Sequence, residues 1–160
     1  MHKQKRIPWD QSAGAAQNAR LHLPALVAAY FAQGREALAG KATDSDLHAL
    51  RLATKRLRYT LELFRSCYGP GLRTHMAHLR RLQQCLGEVN DCATAARVLA
   101  NHLKNGSKQR DQLDRFLGQR RLEKSAEFRR IWIQEFDAAG QERGWSTYLA
   151  RHIRRPARKR

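Results

Sequence analysis

The chain has 160 residues, with 31 Lys plus Arg against 14 Asp plus Glu, a formal net charge of +17 and a pI near 11. That length fits one domain with a modest core, and that charge attracts polyanions at the cost of self-repulsion in the compact state. Three cysteines (Cys67, Cys85, Cys92) without a CxxC pair argue against a disulfide frame or a zinc knuckle and for buried thiols in a reducing compartment.

The first residues, MHKQKRIPWD, are charged and lack the apolar stretch of a signal peptide. No run approaches the ~18–20 apolar residues of a membrane span. The reading is a cytoplasmic protein in three parts: a frayed basic leader over residues 1–12, a helical bundle over 13–140, and a basic, disordered tail over 141–160. Residues 151–160 alone hold six Lys or Arg.

Within the bundle, residues 13–39 carry an apolar stripe of Leu23, Leu26, Val27, Tyr30, Phe31 and Leu38. Pro24 either opens the ordered part of that helix or kinks it. Residues 40–46 connect to a second helix, with Asp44 or Ser45 as its N-cap, and Gly69 stops it. A third helix over residues 72–86 repeats an apolar seam of Leu72, Met76, Leu79, Gln83 and Leu86, with Arg73 and Arg80 one residue behind it. Gly87 ends that helix, and Asn90 or Asp91 caps a fourth through about residue 104, with Ala95, Ala96, Leu99 and Leu103 inward. The Asn-Asp pair reads as a helix cap in preference to a metal or catalytic site. After a turn at residues 105–108, a final helix over 109–138 sets Leu113, Phe116, Leu117, Phe128, Trp132 and Phe136 against the bundle. No segment alternates with period two, so the fold class is all-α, an antiparallel helical bundle of about four to five helices.

The second helix is the informative one. Leu47, Leu50, Thr54, Leu57, Leu61, Phe64 and Tyr68 recur at steps of three and four, the spacing of a helix packed lengthwise against others. A second row follows one residue behind: His48, Arg51, Lys55, Arg58, Glu62 and Arg65, over about 26 Å at 1.5 Å per residue. A stabilising surface stripe alternates acids and bases at i,i+4, whereas Arg51, Lys55 and Arg58 follow one another with no acid before Glu62. Like charges at that spacing cost a few tenths of a kcal/mol each, which an anionic partner reverses. A strip of Leu52, Tyr59 and Leu63, with Arg56 beside it, lies away from the seam as a second apolar face for the first helix or for another copy of the chain.

Residues 47–64, LHALRLATKRLRYTLELF, resemble the signature of the conserved histidine α-helical domain, the CHAD family, in its second repeat. The likeness continues through LRRLQQCLGEVNDCATAARVL at residues 79–99 and returns at Phe128, Trp132 and Phe136. The resemblance implies an all-helical bundle with a basic cleft that binds inorganic polyphosphate. A full family domain holds two such repeats, and this chain supplies a single CHAD-like one.

Enzymes that cleave phosphoanhydrides use metal-binding carboxylates. Here the acids Asp44, Asp46, Glu62, Glu88 and Asp91 are dispersed at helix ends, and no P-loop glycine pattern is present. His75 and His78 stand three apart without a third ligand and read as surface histidines. The function expected is therefore non-catalytic binding of polyphosphate, with no cofactor, no metal and no membrane. Arg51, Lys55 and Arg58 are the principal contacts, with His48, Arg56, Arg73 and Arg80 around them. Arginine forks take phosphate oxygens bidentately, and lysine supplies a point charge. Two alternatives stand beside this reading: a nucleic-acid-binding module, supported by the charge and the tail, and an adaptor for an acidic protein. A homodimer is expected through Leu52, Tyr59 and Leu63, since the resemblance implies two facing repeats.

Overall fold

The computed structural model describes residues 7–151. Among them it contains five α-helices and no strand: α1 (Ala15–Leu38), α2 (Asp44–Leu63), α3 (Leu72–His102), α4 (Lys108–Ile131) and α5 (Gln141–Arg151). Helices α1 to α4 run antiparallel in turn, with α2 between α1 and α3 and α3 against α4, while α5 runs back along α1 in the same sense as α4. The all-α class stands.

The register of α1 on α2 is set by Tyr30, whose hydroxyl lies 2.7 Å from Thr54 Oγ1, while Thr54 donates to the Leu50 carbonyl at 2.8 Å. Both polar groups are buried and both are satisfied, which is the condition for tolerating them in a core. Around them Leu50, Leu57, Leu61 and Phe64 meet Leu23, Val27 and Phe31 from α1 and Leu72, Met76, Leu79, Leu82 and Leu86 from α3 in one hydrophobic cluster.

Several boundaries differ from the sequence reading. The N-cap of α2 is Thr43, not Asp44 or Ser45: Thr43 Oγ1 accepts from the Asp46 N–H at 3.2 Å, and the Asp46 carboxylate accepts from the Thr43 N–H at 2.9 Å. This is a reciprocal capping box, in which the third helical residue must carry the acid. The helix closes at Leu63 and passes through a 3₁₀ turn, Arg65–Cys67, before reaching Gly69. Pro24 lies inside α1, whose helix starts nine residues before it.

The largest difference is α3, a single 31-residue helix. Gly87 is an interior residue, and Asn90 and Asp91 cap nothing. Glycine lowers helix stability by only about 0.5–1 kcal/mol, which packing along the rest of the helix overcomes. Past Asn90 the helix runs on to His102, about 18 Å at 1.5 Å per residue, and with the start of α4 forms an overhanging hairpin. From residue 93 to 127 no side chain of this hairpin is fully buried. Leu113 and Phe116, expected against the bundle, are exposed, Phe116 by 61%. Among the described residues α3 is the chief neighbour of α4, so one helix has to serve where a bundle would provide more.

The expected final helix, 109–138, is α4 followed by a turn of different pitch. Residues Trp132–Phe136 form a π-turn, closed by the Asp137 N–H on the Trp132 carbonyl at 2.7 Å. Steps of four residues drift around an α-helix by about 40° each, and the wider turn cancels that drift. Phe128, Trp132 and Phe136 thus share one face, all buried. Gly140, at φ +84°, then turns the chain into α5. Left-handed backbone of this kind favours glycine.

Residues 141–151, expected in a disordered tail, are this helix, and Trp145 and Leu149 are fully buried in the core. Its period-3.6 apolar pair was outweighed in the sequence by the basic residues that follow. The leader reading also fails over residues 7–12. Asn18 of α1 is buried, accepts from the Asp10 N–H at 2.9 Å and donates to the Asp10 carbonyl at 2.8 Å, while the Trp9 ring rests 5.3 Å from that of Phe64. Residues 1–6 and 152–160 lie outside the described part of the chain.

Candidate functional site

Helix α2 presents its apolar seam to the core and its cationic row to α3. Two cross-helix hydrogen bonds fix that orientation. His48 Nδ1 lies 2.9 Å from Asn90 Oδ1 at one end, and Arg58 Nε donates to Gln83 Oε1 at 2.8 Å at the other. The row between them spans about 15 Å of helix. Arg51 and Lys55 sit between the two ties, half-buried, and the side of α3 facing them carries Gly87, around which a Cβ would meet nothing within 4 Å. The sequence placed Asn90 as a cap; it is instead the partner of His48.

Arg58 is the most constrained cation of the row, its side chain only 14% exposed. Besides Gln83 it donates from Nη1 to Glu62 at 2.9 Å, and its guanidinium lies 4.3 Å from the centre of the Tyr59 ring. Arg80 reaches the same Glu62 oxygen from α3 at 3.5 Å. Arg51 is the opposite case: its Nε–H is buried and has no acceptor among the described residues. Leaving such a donor unpaired costs about 1–3 kcal/mol.

The groove therefore assembles His48, Arg51, Lys55 and Arg58 from α2 and Arg80 from α3. Arg56, on the outward face beside Tyr59, and Arg73, at the start of α3, are exposed and stand apart from the stretch between the two ties. Gln83 and Asn90, which position the cations, were not singled out as site residues; a signal existed, since both lie on the flank of α3 that the antiparallel pairing turns toward α2. A shallow pocket lined by Asp44, Leu47, His48, Leu86, Val89, Asn90 and Ala93 closes the His48 end.

His75 is not a surface histidine. Its ring packs 4.2 Å from that of Trp145 and 4.8 Å from that of Tyr148. Burial, and secondarily the charge of His78, push its pKa down from 6.5 to about 4. Between those values the unfolded chain binds a proton that the folded chain refuses, so stability falls as pH drops from 6.5 toward 4. Because the ring is partly exposed, His75 should account for about 1–2 kcal/mol of the loss between pH 7 and pH 4.5. Denaturation curves should show that loss reduced by this amount in His75→Phe; an identical pH dependence in both proteins would contradict it.

Among the described residues no group of three or more His, Cys, Asp or Glu is placed to hold a metal ion, and no helix is long and apolar enough to cross a membrane. Cys67, Cys85 and Cys92 are separate buried thiols. What the fold defines is a basic helical domain with a row of cations set between two helices. The family model of the CHAD domain matches residues 3–100, more than half of the chain, and the protein belongs to the CHAD family. CHAD domains are helical binding domains, not catalytic ones, and are associated with polyphosphate. Neither the curated proteins nor the solved structures contain a match to this chain.

Proposed function

We propose that this protein binds inorganic polyphosphate, without turning it over, along the α2–α3 groove, and that it does so in the cytoplasm. His48, Arg51, Lys55, Arg58 and Arg80 are the contacts, with Arg56 and Arg73 as outlying charges. The observation that carries the reading is the buried Nε–H of Arg51, a donor without an acceptor among the described residues, in the middle of a cationic row. The Arg51 side chain as a whole is half-buried, and after a small turn toward the open side an anionic oxygen supplies that acceptor through a charge-assisted hydrogen bond. A chain of phosphates has no bases, so the shortage of exposed aromatic rings along the groove is no obstacle. A single-stranded nucleic acid would call for such rings as stacking platforms.

Nucleic acid is the second reading, favoured by the net charge of +17. Both ligands bind through counterion release, so a signal at low salt decides nothing. The test is binding of long-chain polyphosphate and of RNA of matched charge at physiological salt, with the intact chain and with residues 152–160 removed. The proposal expects polyphosphate to bind more tightly and to keep its affinity in the shortened chain, and RNA to lose most of its own. Tighter RNA binding that survives the deletion would favour the second reading.

Self-association belongs to the same proposal. Tyr59 and Leu63 on the outward face of α2 are 50% and 78% exposed, so α1 does not cover them. A second copy is the partner proposed, with polyphosphate or salt offsetting the repulsion between two +17 chains. Sedimentation should show a dimer whose population rises with salt or with polyphosphate, and Leu63→Gln should reduce it. A monomer under every condition would end the idea.

A further inference from the structure

Glu62 is the one acid in the cationic row, and its position is informative. It stands one turn beyond Arg58 on α2, and a single carboxylate oxygen, Oε1, takes both Arg58 Nη1 at 2.9 Å and Arg80 Nη2 at 3.5 Å. The two arginines come from different helices, so their convergence on one oxygen marks a point where a negatively charged oxygen is held between α2 and α3. Arg58 has a second fixed partner in Gln83 and lies over the Tyr59 ring, so its guanidinium is held in place apart from Glu62. Arg80, 59% exposed, has no other ion pair among the described residues. The Glu62 side chain is itself 35% exposed, so solvent reaches the carboxylate that the two arginines share.

We infer that the Arg58–Arg80 pair is a phosphate-binding position masked by Glu62, whose carboxylate acts as an internal counter-anion that a bound phosphate chain displaces. The inference deepens the polyphosphate reading and rests on it. In the free protein Glu62 neutralises one of the two charges at the end of the row. A phosphate chain entering from the Arg51–Lys55 stretch continues directly onto this pair, and its oxygens replace the carboxylate oxygen donor for donor. An exposed carboxylate holds its arginines weakly, so a polyanion anchored at several neighbouring cations can displace it, since its next phosphate arrives already tethered.

The test separates charge from positioning. Glu62→Gln keeps an oxygen that accepts from Arg58 but removes the charge; Glu62→Asp keeps the charge on a shorter stem. Affinity for long-chain polyphosphate should rise about three- to tenfold in Glu62→Gln, and the salt dependence of log K should steepen by about 0.7 for the one charge unmasked. Glu62→Asp should stay within about twofold of the parent chain. If Glu62→Gln binds equally well or more weakly at an unchanged salt slope, the mask is refuted, and Glu62 is a positioning residue for Arg58. If the parent chain and both variants fail to bind polyphosphate, the functional proposal falls with it, a result distinguishable from the first because the parent chain itself is then silent.

Discussion

Replacing Lys55 and Arg58 together by Gln is expected to lower the affinity for long-chain polyphosphate by about 100-fold at physiological salt. Each charge-assisted hydrogen bond to phosphate contributes about 1.5–3 kcal/mol, and the loss of two such contacts, at the low end, amounts to about two decades in Kd. The stability cost should divide unequally. Lys55 has no ion pair among the described residues, and two like-charged neighbours flank it, so Lys55→Gln should be neutral or slightly stabilising. Arg58 is tied to Gln83, Glu62 and the Tyr59 ring, and its loss should cost about 0.5–1 kcal/mol. Isothermal titration and thermal melts on the two single variants and the double variant check both halves. A stability loss of several kcal/mol with unchanged affinity would mean that the row holds the bundle together and does not bind.

The second large effect is far from the groove. A Cβ at Gly34 would stand 2.0 Å from the Trp132 ring, a distance no real contact sustains. The ring cannot retreat, because Tyr30, Phe31, Phe128 and Phe136 surround it at centroid distances of 4.9–6.2 Å. Gly34→Ala would ordinarily gain about 1 kcal/mol of helix propensity. Overpacking of this severity outweighs that gain and should leave a net loss of about 2–4 kcal/mol. Chemical denaturation would measure it; a variant as stable as the parent would show that α1 and the π-turn do not lock together through this contact.

Much of the geometry of the candidate site was legible in the sequence, and the reason is periodic. The seam of α2 and the cationic row one residue behind it both follow from 3.6 residues per turn, and the structure buries Leu47, Leu50, Thr54, Leu57 and Leu61 as that spacing requires. What the spacing could not supply was the partner across the groove. Reading Gly87 as a terminator broke α3 in two, and with it went the alignment that brings Asn90 to His48 and Gln83 to Arg58. A glycine within a helix and a glycine after one look alike locally; only the packing of Leu86 and Val89 on the same core distinguishes them. The same holds for α5. Trp145 and Leu149 are an apolar pair too short to outweigh a basic stretch until the π-turn and Gly140 aim them at the core. Glu62 was visible as the acid that interrupts the row, yet its bond to Arg80 depends on the antiparallel register of α2 and α3.

The most direct test of the account follows the arginine side-chain Nε–H resonances by NMR while long-chain polyphosphate is added at physiological salt. The groove reading predicts that Arg51 Nε–H, buried and without an acceptor among the described residues, shifts strongly, with Arg58 and Arg80 moving as well. Arg97 and Arg115, on the overhanging hairpin, should stay unchanged. Shifts confined to Arg97, Arg115 and other arginines outside the groove, with Arg51 unmoved, would contradict it.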